Sequence, residues 1–337
     1  MKHNSVPVGG RSRHEPGDVP TASLDPFPSP GCHEGAPAWT RREFLAATVG
    51  VALAGVVEAE GAEVAAGEAI IDIHQHTNYA GRTDDQLVAH QRAMGITKTV
   101  LLPAGRLYGL DAQCGGNETV RLLGGRYPKE FVFFANEVAG LPEAVSEITS
   151  FLKKGAIGIG EQKFKVECDS RAIEALAELA QTFRVPVLRH FQHGAYNVGL
   201  ERFHRILAKF PKVAFIGHAQ TWWGNIDRNH DQAVLYPKGK VTPGGITDRL
   251  LSEYPNMYGD LSAGSGLNAL QRDEDHARAF LLRHQDKLLF GSDCDDIVGS
   301  GPKCQGSQTI ATVRRLVPEK RVRRKLFYAN AKRLLKL

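Results

Sequence analysis

Eight short apolar runs, separated by stretches of helical periodicity, constrain the fold of this chain more than any other feature. They span residues 69–73, 98–102, 131–135, 155–160, 185–189, 213–217, 257–261 and 288–292. Nearly all are apolar on both faces, as strands of a helix-covered parallel sheet are. Helical patterns such as 170–183 and 200–210 lie between them. The alternation predicts an α/β protein whose parallel strands close into an eight-stranded barrel.

The predicted barrel is a (β/α)8 TIM barrel over residues 67–337, a length that suits this architecture. A doubly wound open sheet is the alternative. No Gly-rich phosphate-binding pattern follows the first run, so nothing supports a dinucleotide-binding fold. Catalytic residues of TIM barrels lie at the C-terminal ends of the strands, which is where functional side chains are expected here.

Side chains that bind metals close five of the eight runs. His74-Gln75-His76 follows the first run, and residues i and i+2 of an extended strand point to the same side, so both imidazoles can reach one ion. Paired histidines of this kind also occur on ordinary loops. The other four residues, Glu161, His190, His218 and Asp293, close runs four, five, six and eight. Because these ends meet at one mouth of a barrel, the pattern predicts a metal site there.

The order of these residues resembles the metal-dependent amidohydrolase superfamily. Further stretches are similar to its amidohydrolase-related branch, which includes hydrolases, lactonases and nonoxidative decarboxylases of aromatic acids. These stretches are 215–219 (FIGHA), 254–262 (YPNMYGDLS), 289–293 (LFGSD) and 330–334 (NAKRL). The resemblance covers about residues 69–337. Gly-Ser-Asp at strand eight argues against the deoxyribonuclease-like branch, which usually has Glu-Thr-Asp.

The resemblance implies a role for each of these residues. His74, His76, His190 and Asp293 are expected to bind a divalent metal, zinc first, with manganese or iron(II) as alternatives. Asp293 would also take a proton from metal-activated water and pass it to the leaving group. His218 is expected to ligate a second metal or to act as general base, the alternative being a hydrogen-bonded histidine of the rim.

Glu161 decides between one and two metal ions. A bridging carboxylate at the fourth strand end accompanies two ions in many relatives, so Glu161 is assigned to the metal. Lys163, two residues on, is assigned as a substrate anchor, although the two could form an ordinary ion pair.

Specificity is expected from loops beyond the strands. Trp222 and Trp223, in a long loop over 220–245, are expected to form an apolar wall for the substrate, with plain packing as the alternative. Further candidates are Arg106, Tyr108, His193 and Tyr196. Arg189 is expected to point toward the helices and to take no part in catalysis.

The N-terminal residues 1–66 differ from the rest. Residues 1–38 are rich in Pro, Gly, Ser and His without apolar periodicity, which indicates a disordered leader. Arg41-Arg42 then precedes an apolar stretch, Ala46 to Val57, and resembles a twin-arginine export signal. An amphipathic helix is the alternative. We therefore expect the twin-arginine export machinery as a partner and a periplasmic or extracytoplasmic location, membrane-anchored if the signal is not cleaved.

Charge and cysteine usage narrow the function further. The formal net charge of +5 is spread along the chain, so nucleic acid is not expected as a partner. No CxxC pair occurs among the five cysteines. Cys294 and Cys304 are the nearest pair that an oxidising compartment could join, and Cys294 should point away from Asp293 as a structural residue rather than a ligand.

These observations favour an exported hydrolase that cleaves a C–N or C–O bond of a small-molecule amide, lactone or ester. The first alternative is a metal-dependent nonoxidative decarboxylase of an aromatic or unsaturated acid. The second is a secreted metal-binding or carbohydrate-binding barrel without catalysis. The sequence leaves a homo-oligomer open.

Overall fold

The computed structural model describes residues 68–105 and 114–337. The predicted leader and export signal, and the candidates Arg106 and Tyr108, lie outside these residues. No helix in the described part of the chain has both the length and the apolar character needed to cross a membrane.

Eight strands in the described ranges follow the predicted runs, several of them shifted by two to four residues. They are β1 Ile71–Gln75, β2 Lys98–Leu101, β3 Phe131–Phe133, β4 Ile159–Gln162, β5 Val187–His190, β6 Phe215–His218, β7 Met257–Asp260 and β8 Leu288–Leu289. Four of them, β1, β4, β5 and β6, end one or two residues later than the apolar runs alone would indicate, and the other four end earlier. His74, Glu161, His190 and His218 are therefore the last or next-to-last residues of their strands.

The strands form a parallel barrel that is closed by hydrogen bonds. β1, β2 and β3 pair in parallel order, as do β4 through β8. A parallel bridge between Ala135 and Ile159 joins β3 to β4. The Ile73 amide donates to the carbonyl of Phe290 at 3.0 Å, which joins the end of β8 to β1. The predicted (β/α)8 TIM barrel is confirmed.

Helices connect and cover the strands. The α-helices are α1 Asp84–Ala93, α2 Asn117–Arg126, α3 Ala144–Lys153, α4 Arg171–Phe183, α5 His204–Lys209, α6 Gln220–Gly224, α7 Ile246–Glu253, α8 Ala263–Gln271, α9 Glu274–Arg283, α10 Gln305–Leu316, α11 Lys320–Arg324 and α12 Asn330–Leu335. The predicted helix over 170–183 is confirmed as α4, which buries Ile173, Leu176 and Ala180 at the three- and four-residue spacing of one helix face. The segment after β6, expected as a loop, begins with the short helix α6.

Two apolar layers form the core. One fills the barrel with alternate strand residues, among them Ile71, Ile73, Leu188, Ile216 and Leu289. The other lies between strands and helices. Above Leu188 and Ile216 the same alternation continues to His190 and His218 at the mouth, meaning the C-terminal ends of the strands.

Candidate metal centre

Side chains from five strand ends meet at the mouth of the barrel. His74 comes from β1 and His76 directly follows it, Glu161 comes from β4, His190 from β5 and His218 from β6, and Asp293 follows β8. The four histidines and Glu161 are each less than a tenth exposed, and the Asp293 side chain is 10% exposed. The structure therefore brings together all six residues that the sequence predicted to bind metal.

Four of these side chains surround one point. The Nε2 atoms of His74 and His76 lie 3.2 Å apart. From them Glu161 Oε2 lies at 3.6 and 3.5 Å, and Asp293 Oδ1 at 3.7 and 3.5 Å. Nitrogen and oxygen ligands of a tetrahedral zinc ion lie roughly 3.3–3.4 Å apart, given bonds of about 2.0–2.1 Å. The two imidazole nitrogens and either carboxylate oxygen are thus spaced as ligands of one ion.

The second oxygen of each carboxylate turns toward His218. Glu161 Oε1 lies 3.6 Å from His218 Nε2, and Asp293 Oδ2 lies 3.3 Å from the same nitrogen. Each carboxylate thus offers one oxygen to the pair His74 and His76 and the other to His218. Carboxylates divided in this way can bridge two adjacent cations.

His190 contacts the centre through Glu161. Its Nδ1 lies 2.6 Å from Glu161 Oε1, and its Nε2 lies 3.2 Å from Gln192 Oε1. Neither nitrogen of His190 is among the described atoms that surround the point in front of His74 and His76. Its assignment as a metal ligand stays a prediction, and the geometry places it beside His218 rather than with His74 and His76.

Hydrogen bonds fix the imidazole rings with Nε2 toward the centre. His76 Nδ1 lies 2.8 Å from the carbonyl oxygen of Leu102, which can only accept, so Nδ1 carries the proton. His74 Nδ1 lies 2.6 Å from Asp260 Oδ2. Metal-binding histidines commonly donate their other ring N–H to a carboxylate or carbonyl in this way.

Asp260 organises a second ring through Ser262. The Ser262 hydroxyl donates to Asp260 Oδ2 at 2.8 Å, and its oxygen lies 2.9 Å from His218 Nδ1. One buried carboxylate therefore sets the tautomer of both His74 and His218. Sequence reasoning assigned no role to Asp260, although it closes β7 as the other candidates close their strands, and that signal could have found it.

Tyr79 is a further residue that the sequence did not single out. Its ring lies edge-on to His76 with centroids 5.1 Å apart, and its hydroxyl hydrogen-bonds to Asp293. The Asp293 charge and burial together raise the pKa of Tyr79, so the phenol stays protonated. No strand precedes Tyr79 directly, so strand-end reasoning could not have located it.

The carboxylates determine the electrostatics of the centre. Burial opposes a charge on His74, but Asp293, Asp260 and Glu161 outweigh it and hold the pKa of His74 well above its usual value. Burial likewise opposes ionisation of Glu161 and Asp293, but contacts with His190 and His74 for Glu161, and with His74 and His218 for Asp293, hold the pKa of each carboxyl well below its usual range. Both carboxyl groups are therefore ionised at neutral pH, and the pocket favours cations.

The residues present fit a divalent metal. Asp293 Oδ1 is buried and has no hydrogen-bond partner among the described residues, although an ionised oxygen in such a place needs a cation or donor. Neutral imidazole nitrogens with carboxylate oxygens suit zinc, manganese or iron(II). The donor set thus matches the expected cofactor without selecting one ion.

The substrate candidates have different surroundings. Lys163 Nζ lies 5.3 Å from the centroid of the Tyr196 ring, and that ring lies 5.5 Å from His190, so this lysine stands near the centre. His193 is exposed, and its backbone amide donates to the hydroxyl of Thr221 at 2.7 Å.

The expectation that Trp222 and Trp223 wall the substrate site is corrected. Both are buried in the apolar layer between strands and helices, where Trp222 stacks on Phe191 and Trp223 packs against Phe280. Gly217 and Gly259 leave the space that the Trp222 ring fills. The two rings are therefore packing residues, which was the alternative.

Arg189 lies where the sequence predicted. Its guanidinium packs 5.1 Å from the Phe203 ring in the outer layer and donates to Asn197. It is fully buried on the helix side and points away from the centre, so it has no contact with the candidate ligands.

The fold and this cluster define a TIM barrel with a histidine and carboxylate centre at its mouth. No known family profile matches the chain, and no curated protein has a significant sequence match. The structure is similar to an uncharacterised TIM-barrel protein from Bordetella bronchiseptica, with a TM-score of 0.58 and 17% identity over 80% of this chain and 98% of that one.

Two other solved structures share the fold. An amidohydrolase from Burkholderia multivorans matches with a TM-score of 0.56 and 14% identity over 80% of this chain and 99% of that one. A 2,6-dihydroxybenzoate decarboxylase, solved with 2,6-dihydroxybenzoate, matches with a TM-score of 0.53 and 13% identity over 80% of this chain and all of that one. At these identities the similarity establishes the fold.

Proposed function

We propose that this protein is a metal-dependent enzyme of the amidohydrolase type that hydrolyses an amide, lactone or ester of a small molecule. The observation that carries the proposal is the division of both carboxylates, Glu161 and Asp293, between the pair His74 and His76 on one side and His218 on the other. This arrangement suits two divalent cations, preferably zinc, and explains why two ionised carboxylates are buried together.

The residues that would hold the metal follow from the geometry. His74 and His76 would hold one ion and His218 the other, aided by His190, with Glu161 and Asp293 between them. A divalent cation held there would lower the pKa of a bound water toward about 7 and would polarise a carbonyl group.

The chain's own groups would handle the proton and orient the substrate. Asp293 Oδ1 is the unpartnered acceptor at the centre, so it would take the proton released when water attacks and deliver it to the leaving nitrogen or oxygen. Tyr79 donates to the same carboxylate and would hold it in position. Lys163 would attract a negative group of the substrate.

A decarboxylase of an aromatic or unsaturated acid is the second candidate. It is favoured by the shared fold with a 2,6-dihydroxybenzoate decarboxylase and by Lys163, which suits a carboxylate substrate. The same ligands would then bind substrate oxygens, and no water would attack. A barrel that binds metal without catalysis would also use the unpartnered Asp293 Oδ1 as a ligand, so the activity test below separates it from the two enzymes.

Metal analysis and isotope labelling together test the proposal. The full chain is purified with zinc, its metal content measured, and panels of amides, lactones, esters and aromatic acids are assayed in heavy-oxygen water. Hydrolysis predicts about two zinc ions at the mouth and one heavy oxygen atom in the acid product. Carbon dioxide release without label in the other product would support the decarboxylase instead.

Glu161→Ala serves as the matched variant for the metal count. Loss of the divided carboxylate is expected to reduce zinc at the mouth by one equivalent or more. An unchanged count would contradict a bridging role for Glu161. If zinc binds but no amide, lactone, ester or aromatic acid in the panels reacts, the non-catalytic barrel is favoured.

We also propose that the chain is exported. The paired arginines at positions 41 and 42 and the apolar stretch after them support recognition by the twin-arginine machinery, which carries folded proteins. Export after folding would let the enzyme acquire its metal before it crosses the membrane.

A further inference from the structure

A second group of metal-binding side chains lies apart from the centre at the mouth. His90 belongs to α1, Cys294 follows Asp293 after β8, and Cys304 immediately precedes α10. All three are buried, with side chains at most a few per cent exposed. The segment 294–304 connects the two cysteines. The proposed reaction uses none of the three residues. We call these three residues the thiol cluster.

The atoms of the thiol cluster are spaced as ligands of one ion. The two sulfur atoms lie 3.9 Å apart, and His90 Nε2 lies 3.7 Å from Cys294 Sγ and 3.4 Å from Cys304 Sγ. Ligands of a tetrahedral zinc ion would have roughly 3.8 Å between two sulfurs and roughly 3.6 Å between sulfur and nitrogen, given bonds of about 2.3 and 2.0–2.1 Å. A disulfide requires sulfurs about 2.05 Å apart, so the cysteines are not joined.

The Asp296 carboxylate lies beside the histidine of the cluster. Asp296 Oδ2 lies 3.7 Å from His90 Nε2, and the backbone amides of Val298 and Gly299 donate to it at 3.0 and 2.7 Å. These two bonds hold the oxygen in place. Two thiolates would balance the charge of a divalent cation, whereas buried thiolates without a cation would be costly.

We propose that His90, Cys294 and Cys304 bind a structural zinc ion, with water as its fourth ligand. Two cysteines, a histidine and one oxygen form a common class of zinc ligands. The inference extends the sequence expectation for Cys294: it points away from Asp293, as predicted, but serves as a ligand of a different site.

The zinc ion would hold the segment that carries Asp293. Cys294 is the next residue, and its carbonyl accepts from Arg82 Nη1 at 2.9 Å, as does the carbonyl of Asp296. The ion would tie this segment to α1 and α10, which fixes the position of Asp293 without contact between the ion and the substrate.

Cobalt substitution and X-ray absorption test the proposal on the full chain. The protein is purified under reducing conditions and loaded with Co2+ or Zn2+ alone. A near-ultraviolet thiolate-to-cobalt charge-transfer band is expected in the wild type from the thiol cluster. Cys114, whose side chain contacts His76 at the mouth, is the other described thiol that could give such a band, so Cys114→Ser is included and should keep it. The zinc-loaded wild type should show sulfur scattering at about 2.3 Å.

Matched variants assign the signal. Cys304→Ser and Cys294→Ser should lose the band and about one zinc equivalent, whereas Cys168→Ser, which removes another buried cysteine, should keep both. His76→Ala should keep the band while it loses zinc at the mouth, so this site and the proposed function can fail separately.

Two results would overturn the proposal. One is a reduced, metal-loaded wild type with neither a charge-transfer band nor zinc–sulfur scattering, which needs no variant to fold. The other is an intact chain two hydrogen masses lighter because Cys294 and Cys304 form a disulfide that persists when zinc is supplied under reducing conditions.

Discussion

The Asp260 carboxylate lies 2.6 Å from Nδ1 of His74, and both groups are fully buried. The same oxygen accepts the Ser262 hydroxyl, which in turn contacts His218. One carboxylate on β7 therefore orients imidazoles from β1 and β6. The geometry in which these imidazoles would bind a cation thus depends on a residue that is not itself a ligand.

Asp260→Asn is expected to lower zinc affinity about ten- to a hundredfold, the usual effect of losing such a partner. The amide lacks the charge that strengthens His74 as a ligand. Affinity is measured by competition with a chromogenic chelator. Asp248→Asn is the matched control, since Asp248 also contacts a histidine, His284, at 2.6 Å but lies on α7. Equal affinities of the two variants would refute the role of Asp260.

Asp293→Asn is expected to reduce turnover at least about a hundredfold while the fold is kept, because the amide cannot accept the proton from water. Steady-state kinetics on the identified substrate measure the loss, and circular dichroism checks the fold. Zinc content is determined in parallel to separate lost proton transfer from lost metal. Near-full activity would remove Asp293 from the proton path.

Lys163→Met is expected to raise KM for a negatively charged substrate about three- to tenfold, which corresponds to roughly 0.7–1.4 kcal/mol. Its ammonium group stands beside Tyr196 and His190, near the centre. Lys165→Met is the control, since it removes the same charge from an exposed position two residues away. An equal change in both variants would mean that only net charge matters.

Arg41→Lys combined with Arg42→Lys is expected to leave the precursor in the cytoplasm, because twin-arginine recognition depends on the arginine pair. Cell fractionation of a tagged full chain gives the distribution. An unchanged periplasmic fraction in the double variant would indicate another export pathway.

The fold and six candidate ligands could be predicted because each depends on one strand at a time. An apolar run that ends in His, Glu or Asp signals a barrel strand and its mouth residue, and parallel closure brings those ends together. Asp260 could have been included by the same rule. The role of Ser262 could not, because it depends on a hydrogen-bond network across three strands.

Irregular backbone limited what the sequence could specify. The pairing of β1 with β2 shifts between Asp72 and Gln75, so His74 and His76 face the centre although Ile71 and Ile73 face the barrel interior. Such irregularities redirect side chains near functional sites, and no residue pattern in β1 predicts this one. Trp222 was misplaced because burial of a ring depends on space left by glycines on other strands.

Asp248→Asn is expected to destabilise the protein by about 1.5–3 kcal/mol at neutral pH, the range for hydrogen bonds to charged groups. Burial opposes ionisation of Asp248, but hydrogen bonds from His284 and Arg283 outweigh it and lower its pKa. A depressed pKa stabilises the fold above the unfolded value of about 3.9 and loses that contribution as pH falls through the folded pKa. The free energies of unfolding of the wild type and the variant should therefore converge in acid.

Urea unfolding of both proteins between about pH 7 and pH 3 measures this convergence. Asp286→Asn is the control, because Asp286 is an exposed carboxylate whose ion pair with Lys325 is worth at most about 1 kcal/mol. A difference between wild type and Asp248→Asn that stays constant across this range would mean that packing, rather than the ionised carboxylate, accounts for the loss of stability.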